Sequence, residues 1–375
     1  MDKAIGFLTP GLIYVLIFIL NVTVPGRWVV GYATKTNSTE KLKYRLNGLT
    51  ILFLVVLSWF FLCRSGYIAW DWLYLYRWYG LAGAVSFGLI FSLAIVLPYP
   101  AVKNSFLADF YLGRLENPQL WGGRVDAKMW LYLVGAVMLE LNVLSFTAHH
   151  YLLYGTESSH GIFLCAGLLT FFVVDYLTFE EVHLYTYDLF AERVGFKLGW
   201  GCIAFYPFFY VIPLWATVTL PAMEGLNCMN GGGIAGGRPA AESWTLIAAV
   251  LVFFSGWGLS RGANLQKYFF KKDPKRVFLG IKPETISDGN KTLLVNGFWG
   301  LSRHINYLGE ILMATGIVLA VGHPLLPWPW LYPLYYLVLL FPRQIDDDKR
   351  CALKYGALWG EYLKKVPNRI IPYIY

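Results

Sequence analysis

Apolar runs recur along the chain at roughly residues 4–24, 49–63, 81–97, 129–147, 161–174, 198–221, 244–259, 307–321 and 324–341. They are continuously apolar and lack strand-like alternation, which argues against a closed β-barrel. A helix crosses the hydrocarbon core with about 20 mostly apolar residues, and several runs come close to that length. The pattern therefore predicts an all-α polytopic membrane protein with about nine transmembrane helices, in a range of about 8–10. The first run is long and shows no small-residue cleavage site before Pro25, so it reads as a retained span and not as a signal peptide.

Composition agrees with this reading. Of 375 residues, 57% are hydrophobic and 14% charged, whereas a soluble domain carries about 25% charged residues. The net charge of +8 is concentrated in two places. Lys267, Lys271, Lys272, Lys275 and Arg276 crowd one loop; Lys349, Arg350, Lys354, Lys364, Lys365 and Arg369 crowd the C-terminal tail. The positive-inside tendency makes both segments cytoplasmic. Cys63, Cys165, Cys202, Cys228 and Cys351 form no CxxC pair and the histidines no HExxH, so neither a disulfide framework nor a metal centre is expected. NCMNGGGIAGG, from Asn227 to Gly237, reads as a flexible loop; no Lys-Ser/Thr follows that would make it a phosphate cradle. Asn37 and Asn290 head glycosylation sequons. From Ser260 onward polar and basic residues interleave with shorter apolar runs. This predicts a transmembrane bundle over 1–259 and a C-terminal half, 260–375, that carries the chemistry.

Four constellations are candidates for that chemistry. In RGANLQKYFFKKDPKR, Lys267 and Lys271 share a helix face and suit a nucleotide phosphate or, equally, lipid headgroups. In GFWGLSRHINYLGE, a helix from Leu301 would place Arg303 with Tyr307, and Ser302 with Asn306 and Glu310. Charges in hydrocarbon cost about 2.5–3.5 kcal/mol each on insertion scales, so these groups face a cavity or pair between helices. In RQIDDDKRCALKYGALWGEYLKKVP, Arg343, Asp347, Arg350 and Lys354 fall on one face, and Trp359 and Tyr362 are flat surfaces for a base. An ordinary interfacial helix would look similar. In DYLTFEEVHLYTYD, Tyr176, Glu180, His183 and Tyr187 form a polar stripe at helical spacing, either a proton-delivery chain or an interfacial aromatic belt. Glu140, inside the fourth run, is a further buried-acid candidate.

Together these segments resemble the sterol reductase family, which includes delta-14, delta-7 and delta-24(24-1) reductases and the lamin B receptor. LLVNGFWGLSRHINYLGE is similar to one family signature and RCALKYGALWGEYLKKVPNRIIPYIY to the C-terminal one. PGRWVVGY, YRLNG, DFYLGRLENPQ and DYLTFEEVHLYTYDLFAERVGF follow in family order, and RGANLQK is closest to the delta-14 branch. The extra amino-terminal span of longer members is not expected in this chain. The resemblance implies NADPH-dependent reduction of a sterol ring double bond, with a proton added at carbon 15 and hydride at carbon 14 in the delta-14 case. It implies a nucleotide pocket of Lys267, Lys271, Trp299, Asn306, Tyr307, Arg343, Asp347, Cys351, Lys354, Tyr355 and Tyr362, supported by Arg303 and His304. Tyr176 is the implied proton donor or relay, with Glu180 and Asp347 as competitors. The substrate would come from the bilayer; no nucleic acid and no obligate protein partner are implied. The membrane would be the endoplasmic reticulum in a eukaryote, or the inner membrane in a bacterium, with the C-terminus cytoplasmic. Two positions depart from the family pattern: Asp346 stands where Arg is usual, and Pro213 in YVIPLW is closer to the delta-7 branch. Other readings are delta-7 or delta-24(24-1) reduction, a catalytically silent sterol binder, and an isoprenylcysteine methyltransferase-like enzyme, whose relatives share the RH..Y.G pattern but are shorter and lack RGANLQK.

Overall fold

The computed structural model describes residues 2–35, 38–103, 105–221 and 240–375, with the backbone alone for 240–243. Asn37, Cys228 and the glycine-rich stretch lie outside the described residues. Among the described residues, six helical segments are long and apolar enough to cross a membrane: Asp2–Thr23, Arg77–Val96, Ala127–Glu157, His160–Thr178, Phe196–Thr217 and Trp244–Lys272. Gly48–Arg64 and Ile305–Ala320 are shorter apolar helices. The chain is thus an integral, mostly helical membrane protein. The ninth apolar run opens a helix, Leu331–Tyr355, whose second half is charged. Two compact units emerge, Met1–Ala222 and Met223–Tyr375. Residue 259 lies inside the continuous helix Ala240–Lys272.

The first unit runs α1 (Asp2–Thr23), β1 (Arg27–Thr34), β2 (Lys41–Leu46), α2 (Gly48–Arg64), α3 (Trp72–Leu75), α4 (Arg77–Val96), α5 (Phe106–Leu112), β3 (Gln119–Leu120), β4 (Val125–Asp126) and α6 (Ala127–Tyr154). It continues through α7 (His160–Thr178), α8 (Glu180–His183), α9 (Tyr187–Phe190), α10 (Phe196–Trp200), α11 (Tyr206–Phe209) and α12 (Ile212–Thr217). Helix α6 is apolar nearly all round and is its centre: Leu131, Val134, Val137, Met138 and Val143 are fully buried. Asp126 caps it by accepting from the amides of Lys128 and Met129, each at 3.0 Å. Helices α1 and α4 approach closely because Gly83 has no Cβ; one would sit 1.9 Å from the Phe7 carbonyl oxygen.

The sixth apolar run is a broken helix. A π-helical turn at Gly201–Phe205 joins α10 to α11, and Pro207 and Pro213 remove two amides from the ladder. Backbone groups freed at membrane depth need partners from neighbouring helices. Tyr14 of α1 donates to the Ile203 carbonyl at 2.6 Å, and Asn142 of α6 to that of Pro207 at 3.0 Å.

Lys128 is fully buried, and its Nζ donates to the carbonyls of Leu189 (2.7 Å), Glu192 (2.9 Å) and Asp188 (3.3 Å) around α9. Lys128→Met keeps the stem and removes the donor. Thermal unfolding of the purified protein should show a loss of about 2–3 kcal/mol, since buried acceptors left without donors cost about 1–3 kcal/mol. An unchanged melting temperature would show that water serves these carbonyls equally well.

The second unit contains α13 (Ala240–Lys272), β5 (Thr285–Ser287) paired antiparallel with β6 (Thr292–Leu294), α14 (Phe298–Leu301), α15 (Ile305–Ala320), α16 (Leu331–Tyr355) and α17 (Ala357–Lys365). Helices α13 and α15 pack through glycines. The end of the chain folds back within this unit: the amides of Arg303 and His304 donate to the carbonyls of Asn368 (3.0 Å) and Arg369 (2.8 Å), and Ser302 Oγ to that of Ile370 (2.9 Å).

Candidate functional site

Those tail contacts correct one expectation. A helix starting at Leu301 is not formed: Ser302 is extended and His304 lies off the helical region, so α15 begins at Ile305. The cause is non-local, because residues 302–304 spend their hydrogen bonds on the chain's last turn. Arg303 consequently does not share a helical face with Tyr307. Its guanidinium lies 3.4 Å from Asp348, which also approaches Arg369 at 3.9 Å.

Some of the expected residues lie together in this unit. The Lys267 ammonium stands 5.4 Å above the Trp299 ring, whose Nε1 donates to the Ala263 carbonyl at 2.8 Å. Tyr307 is buried; its hydroxyl donates to Asp347 Oδ2 at 2.8 Å and its ring stacks on His304 at 4.8 Å. Burial, reinforced by Arg303, Lys267, Arg343 and Arg369, pushes the His304 imidazole down to about 3, so it is neutral at physiological pH. Burial first, then Asp347, raises the Cys351 thiol to about 11, which leaves it protonated and unreactive. Lys267 and Lys354 oppose that shift, which places both cations near Cys351. Lys354 also lies 5.2 Å above the Tyr355 ring. Asn306 follows at the start of α15, and Lys271 lies one turn beyond Lys267 on α13, exposed.

Tyr362 takes a different part from an open platform. It stacks on Trp359 at 4.8 Å, and both are buried with Val366 in a small core. The Asp346 departure is also mild in its setting, for its side chain is 69% exposed and 3.8 Å from Lys349.

Among the described residues, the buried polar atoms here without a hydrogen-bond partner include Nε2 of His304, Oδ1 of Asn306 and Nε of Arg303. Buried polar atoms are usually satisfied, so these fit a polar ligand carrying both donors and acceptors. With Lys267, Arg343 and Lys354 alongside, the donor set suits the amide, hydroxyls and phosphates of a nicotinamide nucleotide. Sequence reasoning passed over Ser260, Gln266 and Asp348. Ser260 donates to Glu310 at 2.6 Å, and Gln266 accepts from the Phe298 amide at 2.9 Å. Only their polarity within an apolar setting signalled them.

Tyr176 and Glu180 belong to the first unit. The stripe through Tyr187 is not continuous, because α7 stops at Thr178 and α8 ends at His183, where Thr186 Oγ1 captures the His183 carbonyl at 2.7 Å. Its core survives: Tyr176 stacks on His183 at 4.0 Å and approaches Tyr132 at 5.9 Å. Glu180 accepts from the Gly48 amide at 3.2 Å, at the N-terminus of α2. Burial pushes its carboxyl up to about 7, against the lowering effect of that bond. It can therefore carry a proton near neutral pH. Among the described residues no cluster suited to a metal ion is found.

Over its length the chain is similar to several known proteins. Delta(14)-sterol reductase of Arabidopsis thaliana is 32% identical, over the whole of both chains. Delta(14)-sterol reductase of Methylotuvimicrobium alcaliphilum is 34% identical over 71% of this chain and 58% of its own. Delta(14)-sterol reductase ERG24 of Saccharomyces cerevisiae is 29% identical over 96% of this chain and 82% of its own. The model of the ergosterol biosynthesis ERG4/ERG24 family matches residues 5–375, and the chain belongs to that family.

Proposed function

We propose that the chain is an oxidoreductase that reduces the delta-14 double bond of an 8,14-diene sterol, with NADPH as donor. The observation that carries the reading is the polar cluster of Lys267, Trp299, His304, Tyr307 and Asp347, in a chain whose relatives are named delta-14 reductases. Lys267, Lys271, Arg343 and Lys354 would hold phosphates; Trp299, Asn306, Tyr307, Cys351, Tyr355 and Tyr362 would shape the rest of the nucleotide pocket. When bound, NADPH supplies the hydride taken by carbon 14.

The protein's own task is the proton added at carbon 15. Tyr176 is our assignment as donor or relay. Its ring is held by His183, and Glu180 can replenish a proton. Asp347 competes for the role through the Tyr307 hydroxyl. Orientation with the C-terminus in the cytoplasm, in the endoplasmic reticulum of a eukaryote, would suit a soluble nucleotide and a sterol drawn from the bilayer.

The test is a yeast strain lacking its own delta-14 reductase and expressing this chain. Its membranes receive NADPH and an 8,14-diene, with products resolved by mass spectrometry. The 14-double bond should disappear, and Tyr176→Phe should slow that loss by about a hundredfold, the lower end of the range for a positioned proton donor. An unchanged diene would overturn the delta-14 assignment, and conversion of a delta-7 or delta-24(24-1) substrate instead would name the bond.

A further inference from the structure

The α6–α7 pair of the first unit holds a polar group that its packing does not explain. Glu140 lies near the middle of α6, about 20 Å from the helix start at 1.5 Å per residue, and is 3% exposed. Its Oε1 accepts from Thr170 of α7 at 2.9 Å. Its Oε2 is buried with no partner among the described residues. A carboxyl at this depth is expensive and marks a functional group by default. A helix–helix bond alone would be served more cheaply by a hydroxyl or an amide.

The missing partner must be polar, small and able to arrive from hydrocarbon. A hydroxyl answers the unpaired oxygen whether the carboxyl is ionised, when the hydroxyl donates, or protonated, when it accepts. Val137, one turn before Glu140 on α6, and Leu169 and Val173, on either side of Thr170 on α7, are buried and apolar. A sterol is hydrocarbon with one hydroxyl at one end.

The spacing of the two helices extends the match. Tyr132 precedes Glu140 on α6 and Tyr176 follows Thr170 on α7, so the Tyr132–Tyr176 ring contact at 5.9 Å forms a second level of the same antiparallel seam. The levels are six residues apart on α7 and eight on α6, about 9 and about 12 Å. That is comparable to the reach of a four-ring nucleus from its 3-oxygen to its D ring. Ala136, half-buried and one turn from both Tyr132 and Glu140, presents only a methyl group along α6.

We propose that Glu140 and Thr170 recognise the 3-hydroxyl of a membrane sterol, with the ring system lying along α6 and α7 so that its D ring reaches Tyr176. This deepens the sterol-reductase reading and rests on it.

The experiment compares an 8,14-diene bearing a 3-hydroxyl with its 3-deoxy analogue, on the full-length protein in membranes. Wild type should prefer the hydroxylated diene about tenfold to a hundredfold in kcat/KM, the range for a hydrogen bond to a charged or desolvated group. In Glu140→Leu the ratio should collapse towards one through loss on the hydroxylated substrate, with the 3-deoxy diene still reduced. Glu140→Gln, which keeps an acceptor and the shape, should fall between, and it carries the test if the Leu variant does not accumulate. A wild-type ratio near one, or a wild-type ratio retained in both variants, overturns the inference while leaving the reaction intact. If wild type reduces neither diene, the reaction assignment fails on its own. Direct binding of a 3-hydroxysterol and its 3-deoxy counterpart, read by tryptophan quenching, then decides Glu140: preference lost in Glu140→Gln supports the site, and preference retained removes it.

Discussion

Asp347→Ala is expected to lower turnover by about 10²- to 10³-fold, within the range attributed to positioned acid–base groups. Tyr307 is 8% exposed and its hydroxyl donates to Asp347 at 2.8 Å. Truncation removes the Asp347 oxygen that accepts from that hydroxyl and a negative charge that acts on Cys351, as Lys267 also does with opposite sign. The phenol can then rotate, and the ring stacked on it, His304 at 4.8 Å, loses its support. Two companions separate the causes. Asp347→Asn keeps an oxygen to accept the Tyr307 hydrogen bond but carries no charge; a loss as large as that of Ala assigns the effect to charge or proton transfer. Tyr307→Phe removes the phenol and leaves the carboxylate. The measurement is single-turnover reduction with saturating nucleotide, alongside nucleotide affinity by fluorescence. A loss confined to affinity, with the rate at saturation unchanged, would make Asp347 a binding residue only.

The sequence told most where the physics is local. Continuous apolar runs mark α1, α4, α6, α7 and α13 because hydrocarbon solvent demands closed backbone hydrogen bonding over a fixed length. Helical spacing puts Arg343, Asp347, Arg350 and Lys354 on one face, and α16 keeps that spacing without a break through Pro342; joining them to Lys267 of α13 takes the family resemblance, not spacing. Two features were not legible, and a third only in part. The start of α15 is set by the chain's last turn, more than sixty residues away in sequence, through Asn368 and Arg369. The polar stripe ends at His183 because Phe179 and Thr186 interrupt the helix, a local choice that spacing alone does not encode. The broken helix over 196–217 was readable in principle, since Pro207 and Pro213 are visible, but its partners Tyr14 and Asn142 are long-range. Glu140 stands out as an acid in an apolar run; only the fold shows that one of its oxygens is bonded to Thr170 and that the other has no partner among the described residues.

Gly309→Leu should prevent the second unit from folding. One face of α13 carries Ala249, Phe253, Gly256 and Ser260, spaced by four, three and four residues, and it lies against Gly309 and Gly316 of α15. A Cβ on Gly309 would sit 2.5 Å from the Ser260 amide nitrogen and 2.6 Å from the Gly256 carbonyl oxygen. A Cβ on Gly256 would meet the Gly309 carbonyl oxygen at 2.6 Å, and one on Gly316 the Phe253 amide at 2.7 Å. These obstacles are backbone, so no side chain can rotate away and the helices must separate. Small residues permit this kind of close crossing in membranes, where packing drives helix association. Separation would also pull apart Ser260 and Glu310, now bonded at 2.6 Å, and would disturb Lys267, two turns further along α13, and Tyr307, at the start of α15. Overpacking of this kind costs about 1–3 kcal/mol or more, and four extra carbons against backbone belong at the upper end. Gly309→Ala should lower the melting temperature measurably and reduce activity without abolishing expression. Gly258→Ala, where nothing lies within 4 Å of the added carbon, is the control and should melt at or above the wild-type temperature, since alanine favours a helix by about 1 kcal/mol over glycine. Size-exclusion profiles and thermal melts of the four proteins read the outcome. A Gly309→Leu protein that elutes and melts like wild type would show that α13 and α15 do not cross at these glycines.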